Sequence, residues 1–222
     1  MASRNPALVF RLDPEKVAYW YFRLNGFLQI ENFVVHPGRR GSQRTDADLL
    51  AVRFPHRAEF LFDHSEPMRD DEGTLCLSPE AIDVVIAEVK TNQPCTLNGP
   101  WAIEEHQNVH RVLAAIGCVP RDTIDMAATR IYRDGIYQHG TIRIRLIAVG
   151  GDRSPELAER FPEVVQVTWP QIFDFIWHRF YTYRHQKTQV QQWDAQGLLL
   201  KRLADSSAAS QDFISIAQSR MR

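Results

Sequence analysis

Apolar positions near the start of the chain follow helical spacing, three or four residues apart, in the stretch DPEKVAYWYFRLNGF (13–27). Asp13 is expected to cap this helix, Pro14 suits the first helical position, and Gly26 is expected to end it. Because apolar residues fall on two sides of the helix, the pattern predicts that it packs against the rest of the protein on both sides.

Strands are predicted where apolar runs are short and rich in β-branched residues. The first three are FLQIENFVV (27–35), DADLLAVRF (46–54) and AIDVVIAEVKTN (81–92), and two more are GTIRIRLIAVGG (140–151) and VVQVTW (164–169). The strand at 81–92 begins apolar on both faces, which is typical of a central strand covered on both sides.

The remaining periodic segments predict helices at 103–117 and 122–137, and one long helix or two over 170–204. The tail, 206–222, is expected to be a short helix or partly disordered. This order of elements predicts an α/β or α+β domain with a central mixed sheet flanked by helices. We expect a core over 1–168 with an insertion at about 55–79, and a helical C-terminal extension over 169–222 that packs on it.

Composition narrows the class of protein without defining it. The formal net charge is −1, so no global basic field indicates nucleic acid, although the segments 36–44 and 178–187 are locally basic. The three cysteines are odd in number and lack CxxC spacing, which predicts reduced thiols and a cytoplasmic protein. No apolar run is long enough for a membrane span, so no membrane partner is expected.

Charged residues stand at the end of the apolar strand at 81–92. Glu88 and Lys90 share one face of it, and Asp48 lies near the start of the preceding predicted strand. Two carboxylates on adjacent strands can bind a hard divalent cation, and a lysine beside them can orient a water or meet a phosphate. Glu15, in the first helix, is a third acid for this site or simply a first-turn residue that favours the helix dipole.

These residues resemble the signature of the PD-(D/E)XK nuclease superfamily, which has the restriction-endonuclease-like fold. The segments TDADLLAVR and VVIAEVKTN supply an acid near the start of one strand and E-x-K at the end of the next. The segment PEKVAYWYFRLNGFLQIENFVV is similar to the first helix and strand of the Holliday-junction-resolvase-like branch, with Glu15, Gly26 and Asn32 at the matching positions. The resemblance covers about 13–93.

The resemblance implies a Mg²⁺-dependent endonuclease, with Mn²⁺ as a substitute cation and DNA as the expected substrate. Asp48, Glu88 and the carbonyl of Val89 would bind the metal, Lys90 would stabilise developing charge, and Glu15 would be a third ligand or order a water. Asp46 is an alternative to Asp48 if the strand register is shifted. A catalytically inactive module that binds nucleic acid or a protein partner stays open, as does strand-end surface charge.

Substrate contacts are expected beside this site. The loop HPGRRGSQR (36–44) carries Arg39 and Arg40 between glycines, followed by Arg44. Such a loop is often solvated and flexible, and these arginines are also expected to bind phosphates on the side of the site. Gln93 is expected to touch substrate or to cap the turn after the strand, and Asn98 is interpreted in the same way. Trp101 is expected to be a core residue. A homodimer stays open, because members of the superfamily are often dimeric.

Overall fold

A computed structural model describes residues 11–36, 45–60, 66–188 and 190–221 of the 222-residue chain. Within these ranges the protein has the expected α+β fold, with a mixed sheet of six strands between two layers of helices. The strands are β1 (Leu28–Val35), β2 (Thr45–Arg53), β3 (Ile82–Val89), β4 (Ile136–His139), β5 (Ile142–Gly150) and β6 (Val165–Thr168). The helices are α1 (Pro14–Leu24), α2 (Glu72–Leu75), α3 (Gly99–Ala102), α4 (Asn108–Ile116), α5 (Ile124–Asp134), α6 (Pro155–Arg160), α7 (Trp169–Thr182), α8 (Ala195–Ser206) and α9 (Ser210–Arg220).

The sheet combines an antiparallel half with a parallel half. Strands β1, β2 and β3 form an antiparallel meander, and β3 then pairs in parallel with β5. The far side of β5 is shared, because β4 pairs with its first half and β6 with its second half. Strand β3 is therefore central, and its residues Val84 to Ala87 are buried, as the apolar run predicts.

Helix α1 begins and ends where the sequence predicts. The Asp13 side chain accepts a hydrogen bond from the Glu15 backbone N–H (3.0 Å), Pro14 occupies the first turn, and Gly26 follows the helix with φ +81°. Val17, Ala18, Trp20, Tyr21, Phe22 and Leu24 are buried. The helix is thus enclosed on both sides, which fixes the position of Glu15 in its first turn.

The helices form two layers around two apolar cores. Helices α1, α7, α8 and α9 cover the face of the sheet that carries Leu49, Val85 and Ile147. Helices α3, α4, α5 and α6 cover the opposite face, which carries Leu50 and Ile86. The stretch predicted as one or two helices at 170–204 is two, α7 and α8, and the tail forms α9.

Hydrogen bonds join the start of α1 to the C-terminal helices. The Leu12 backbone N–H donates to the carbonyl of Arg220 (2.9 Å), and the Asp13 N–H donates to Gln196 Oε1 (3.2 Å). Further along α1, Trp20 Nε1 donates to Asp194 Oδ1 (3.0 Å). Helix α1 is therefore held in place by residues from the other end of the described chain.

Buried ion pairs fasten the long connection between β2 and β3. Asp70 accepts hydrogen bonds from Arg53 (2.9 Å), from Arg179 (3.0 Å) and from Arg57. Arg53 and Arg179 are themselves buried. Because Arg179 lies on α7, this network holds the segment that connects β2 to β3 against the layer of helices that contains α7.

Two further expectations concern the state of the cysteines and a membrane-spanning helix. Cys76, Cys95 and Cys118 are each free thiols. Across the ranges that the structure describes, every helix is too short or too polar to cross a membrane.

Candidate active site

The site lies where β2 and β3 separate. Their ladder ends at the pair Leu49 and Ala87, so Asp48 and Glu88 are the next residues in register. Instead of continuing the ladder, the Val89 N–H donates to Asp48 Oδ2 (2.6 Å). A side-chain carboxylate takes the place of a backbone acceptor, and this contact fixes Asp48 beside the end of β3.

Strand β2 is irregular at Asp48. A regular strand places residues three apart on opposite faces, yet Ala47 and Leu50 belong to the same apolar core. On the neighbouring strand, Asn32 has φ +50° and lies between the pairs Glu31–Leu49 and Phe33–Ala47. The irregularity spans both strands, and it determines where the Asp48 carboxylate is presented.

Glu88 is buried and fully engaged by the protein. Its side chain is 3% exposed. Lys90 Nζ and Asn98 Nδ2 both donate to Oε1, and the indole Nε1 of Trp101 donates to Oε2 (2.9 Å). A buried carboxylate of this kind requires such partners, because desolvation of an unpaired charge is costly.

The pKa values of Glu88 and Asp48 both depend on burial and on nearby charges. Burial is the main cause that raises the pKa of Glu88; the charge of Asp48 raises it further, whereas Lys90 and Trp101 oppose the shift. Burial also raises the pKa of Asp48, against the Val89 N–H and the charge of Lys90, and Asp46 adds to the increase. The two carboxylates therefore share one electrostatic environment.

Glu15 belongs to the same acidic environment. Burial raises the pKa of Glu15, and the charges of Asp48, Asp13, Asp46 and Glu31 raise it further. Among the described residues no cation pairs with Glu15; its neighbour Lys16 pairs with Glu31 instead (2.6 Å). The first helix thus brings a half-buried acid towards Asp48, as the sequence predicts, without a compensating charge.

Lys90 stands on a rigid strand end. Its ammonium donates to Glu88, and its backbone N–H donates to the carbonyl of Val149 on β5 (2.9 Å). The indole of Trp169 donates to the carbonyls of Lys90 (3.0 Å) and Thr91 (2.9 Å). The backbone beyond Glu88 is therefore held from β5 and from α7.

A divalent cation fits these residues through two carboxylates. Within the described part of the chain, no three His, Cys, Asp or Glu side chains are arranged to hold a metal ion. Mg²⁺, however, is commonly bound through one or two carboxylates, with substrate phosphates and waters as further ligands. Oδ1 of Asp48 accepts no hydrogen bond from any described residue, and burial, the main cause that raises the pKa of both carboxylates, makes their charge costly in a way that a bound cation would offset.

Asp46 is the less central of the two aspartates on β2. It pairs in the ladder with Val34 of β1, whereas Asp48 contacts β3. Asp46 nevertheless adds to the negative charge felt by Asp48 and Glu15. The contact with Val89 makes Asp48 the better partner for Glu88.

The other predicted site residues are placed less closely. Val89 reaches the site through its N–H, which binds Asp48. Gln93 is exposed in the turn after β3, and its carbonyl accepts from Gly151 (2.7 Å). Arg39, Arg40 and Arg44 lie outside the described residues.

The sequence did not predict that two residues, Asn98 and Trp101, would donate hydrogen bonds to Glu88. Asn98 was expected to touch substrate or cap a turn, and Trp101 was expected to be core. Trp101 is indeed buried, and its indole also binds Glu88. The available signal in the sequence was Asn98 and Trp101, ten and thirteen residues after Glu88. Only the structure of α3 shows that both side chains reach this carboxylate.

A groove runs beside the site between β1 and α4. Its volume is about 620 Å³, and its lining includes Asn32, which lies opposite Asp48 in the strand pair. Arg111 and His36 line it together with Phe33, and none of the described lining residues is acidic. The groove therefore offers one arginine and an aromatic side chain next to an acidic site.

Comparison with known proteins returned no relative: no protein-family model matches the chain, and neither a curated protein nor a solved structure matches it significantly. The function therefore has to be inferred from the geometry and chemistry of the site.

Proposed function

We propose that this protein is a metal-dependent nuclease that hydrolyses phosphodiester bonds in nucleic acid, with DNA as the expected substrate. The observation that carries the proposal is the meeting of Asp48 and Glu88 at the separating ends of β2 and β3, with Lys90 beside them. This arrangement supports the resemblance to the PD-(D/E)XK superfamily, which remains part of the proposal.

Asp48 and Glu88 would hold the cation. Mg²⁺, or Mn²⁺ in its place, would supply Lewis-acid activation of the phosphate and of the attacking water. The protein's own contribution is orientation: Val89 fixes one oxygen of Asp48, and three side chains fix Glu88. Such fixed ligands require little reorganisation when substrate binds.

Lys90 would stabilise the negative charge that develops on the phosphate. A lysine ammonium has three N–H donors, and Glu88 takes one of them. The remaining donors can reach a phosphate oxygen while the contact with Glu88 holds the side chain at the site. Electrostatic stabilisation from a group already in position is among the largest contributions to catalysis.

A nucleic-acid substrate at this site would lie next to several carboxylates. Glu15, Asp46 and Asp48 would repel phosphates, so the substrate needs cationic contacts nearby. Arg111 in the groove between β1 and α4 supplies one, His36 offers a further polar contact, and Phe33 offers an aromatic face for a base. Glu15 would contribute by ordering a water near Asp48.

The proposal is tested by cleavage of labelled single- and double-stranded DNA and RNA over a Mg²⁺ titration, repeated with Mn²⁺. The wild type should cleave at least one substrate, and Glu88→Gln should lower the rate by about 10²-fold or more. Asp152→Asn, a change at an exposed loop acid, is the control and should cleave normally. Absence of cleavage by the wild type under every condition contradicts the proposal.

One observation favours a second candidate, a non-catalytic module that binds nucleic acid or a protein partner. Both oxygens of Glu88 already accept hydrogen bonds from the protein, which leaves less capacity for a cation. A module of this kind would bind labelled oligonucleotides, with or without Mn²⁺, and leave them uncut. The cleavage assay therefore separates the two candidates.

A further inference from the structure

Among the described residues, the indole N–H of Trp101 donates to one partner, and that partner is the candidate metal ligand Glu88. Its indole Nε1 lies 2.9 Å from Oε2 of Glu88, while Lys90 and Asn98 occupy Oε1. Trp101 is 1% exposed, so water does not compete for the indole N–H. The two oxygens of Glu88 thus have different partners, charged and amide on one side and a neutral indole on the other.

The helix that carries Trp101 is short but firmly held. Asn98 is the N-cap of α3, and the Trp101 backbone N–H donates to the Asn98 carbonyl (2.9 Å). The carbonyl of Pro100 accepts from Asn108 Nδ2 (3.3 Å), and the carbonyl of Ala102 accepts from Arg160 (3.1 Å). Because α4 and α6 brace α3 in this way, the indole has a fixed position relative to β3.

The chemistry of indole suits this contact with a carboxylate. The indole nitrogen donates and cannot accept, so it pairs only with an acceptor such as a carboxylate oxygen. A neutral donor also leaves the charge of the carboxylate in place, whereas a second lysine would cancel it. Partners of this kind orient metal ligands and raise metal affinity in many proteins.

We propose that Trp101 is a positioning residue that holds Glu88 correctly oriented for a divalent cation; this inference rests on the proposed function. Packing alone does not require an indole at this position, because a phenyl ring fills most of the same apolar space. The role therefore resides in the N–H, and removal of that group alone should reveal it.

The chain contains a matched control for the loss of an indole N–H. Trp177 on α7 is also buried, and its Nε1 has no hydrogen-bond partner among the described residues. Trp101→Phe and Trp177→Phe remove the same chemical group from two buried sites, and only the first group is bonded to a carboxylate. Differences between the two variants report the hydrogen bond and cancel the general cost of a smaller ring.

The first measurement needs no activity. The chain has five tryptophans, whose indole N–H groups are observed in a ¹H–¹⁵N spectrum and assigned by single Trp→Phe variants. Glu88→Gln should shift the Trp101 signal and leave that of Trp177 in place. Addition of Mg²⁺ to the wild type should also shift the Trp101 signal, because the cation draws on the same carboxylate.

The second measurement is cation affinity, from calorimetric titration with Mn²⁺. Trp101→Phe should bind Mn²⁺ about tenfold more weakly than the wild type, as loss of such a partner does, and Trp177→Phe should match the wild type. In the cleavage assay Trp101→Phe should need a correspondingly higher cation concentration, while its rate at saturating cation falls less.

Each outcome decides the question. If the wild type binds Mn²⁺ and the two variants have equal affinity, Trp101 is a packing residue and only this inference fails. If Glu88→Gln leaves the Trp101 signal unshifted, the hydrogen bond itself is absent. If the wild type binds neither Mn²⁺ nor Mg²⁺, the proposed function fails and this role fails with it.

Discussion

Asp83 and Glu88 stand on the same strand, five positions apart, and both are almost completely buried. Asp83 is bound by two arginines of β5: Arg145 donates through Nε (2.9 Å) and Nη2 (2.5 Å), and Arg143 through Nε (3.2 Å) and Nη2 (2.8 Å). Glu88 has a single cation, Lys90, and a second carboxylate, Asp48, close enough to raise its pKa.

The two acids differ in how completely the surrounding protein balances their charge. Around Asp83 the cations outnumber the acid, and the arginines also bind the carbonyls of Leu75 (2.7 Å) and Cys76 (2.9 Å), so the cluster is complete. Around Glu88 the balance is reversed, because Asp48 acts on Glu88, Asp46 acts on Asp48, and Lys90 is the cation that opposes them. Burial of excess negative charge is costly, and we infer that a ligand offsets it.

The largest predicted effect is on stability, and it separates the two ends of β3. Asp83→Asn should lower the free energy of unfolding by about 3–5 kcal/mol, because it leaves the buried Arg145 and the mostly buried Arg143 without their counter-charge. Glu88→Gln should change it by only about 1 kcal/mol, because the amide relieves repulsion from Asp48 while it loses the pair with Lys90. Urea unfolding monitored by circular dichroism measures both. An equal loss in the two variants would mean that Glu88 is structural.

The next effect is on turnover. Lys90→Ala should lower the rate of cleavage at saturating Mg²⁺ by about 10²-fold and leave cation affinity nearly unchanged, because the ammonium acts on developing charge. If Lys90 only neutralises Glu88, the same change raises the pKa of Glu88 further and weakens cation affinity and stability instead.

Lys16→Ala is the matched control for the lysine variant. Lys16 also pairs with a glutamate, Glu31 on β1, but at a partly exposed position outside the separating strands. Its loss should leave turnover and cation affinity in place. Full activity of Lys90→Ala would refute the catalytic role.

The smallest effect concerns pH. Because the folded-state pKa values of Asp48 and Glu88 lie above their ordinary values of 3.8 and 4.5, folding takes up protons between the ordinary and the raised values. These two groups therefore favour the folded state less as pH rises through that window. The double variant Asp48→Asn/Glu88→Gln should gain stability relative to the wild type as pH rises from about 4 to 7, measured by urea unfolding without divalent cations. A constant difference across this range would contradict the raised pKa values.

Local patterns were sufficient for the larger elements. Asp13, Pro14 and Gly26 predict the bounds of α1 because capping and glycine conformations are local properties. The apolar runs predict β2, β3 and β5 because burial on both faces leaves a continuous hydrophobic stretch. The short strand β4 was missed, because Ile136 and Tyr137 continue the helical pattern of α5 and only pairing with β5 makes them a strand.

The proximity of Asp48, Glu88 and Lys90 was predictable from the sequence, but the residues that hold them in place were less so. Asp48 and Glu88 are recognised by their place on strands, whereas the Val89 contact depends on the separation of those strands. The role of Trp101 depends on where a four-residue helix turns back over β3. The spacing of residues along the chain does not show that Trp101 reaches Glu88.

The bonds between the start of α1 and the C-terminal helices have a consequence for the order of events during synthesis. Helix α1 is synthesised before its partners, because the Leu12 N–H binds Arg220 and the Trp20 indole binds Asp194. Glu15 therefore takes its final place only after α8 and α9 have been translated. Under the proposed function, a nascent chain that lacks these helices would not present a finished site to nucleic acid.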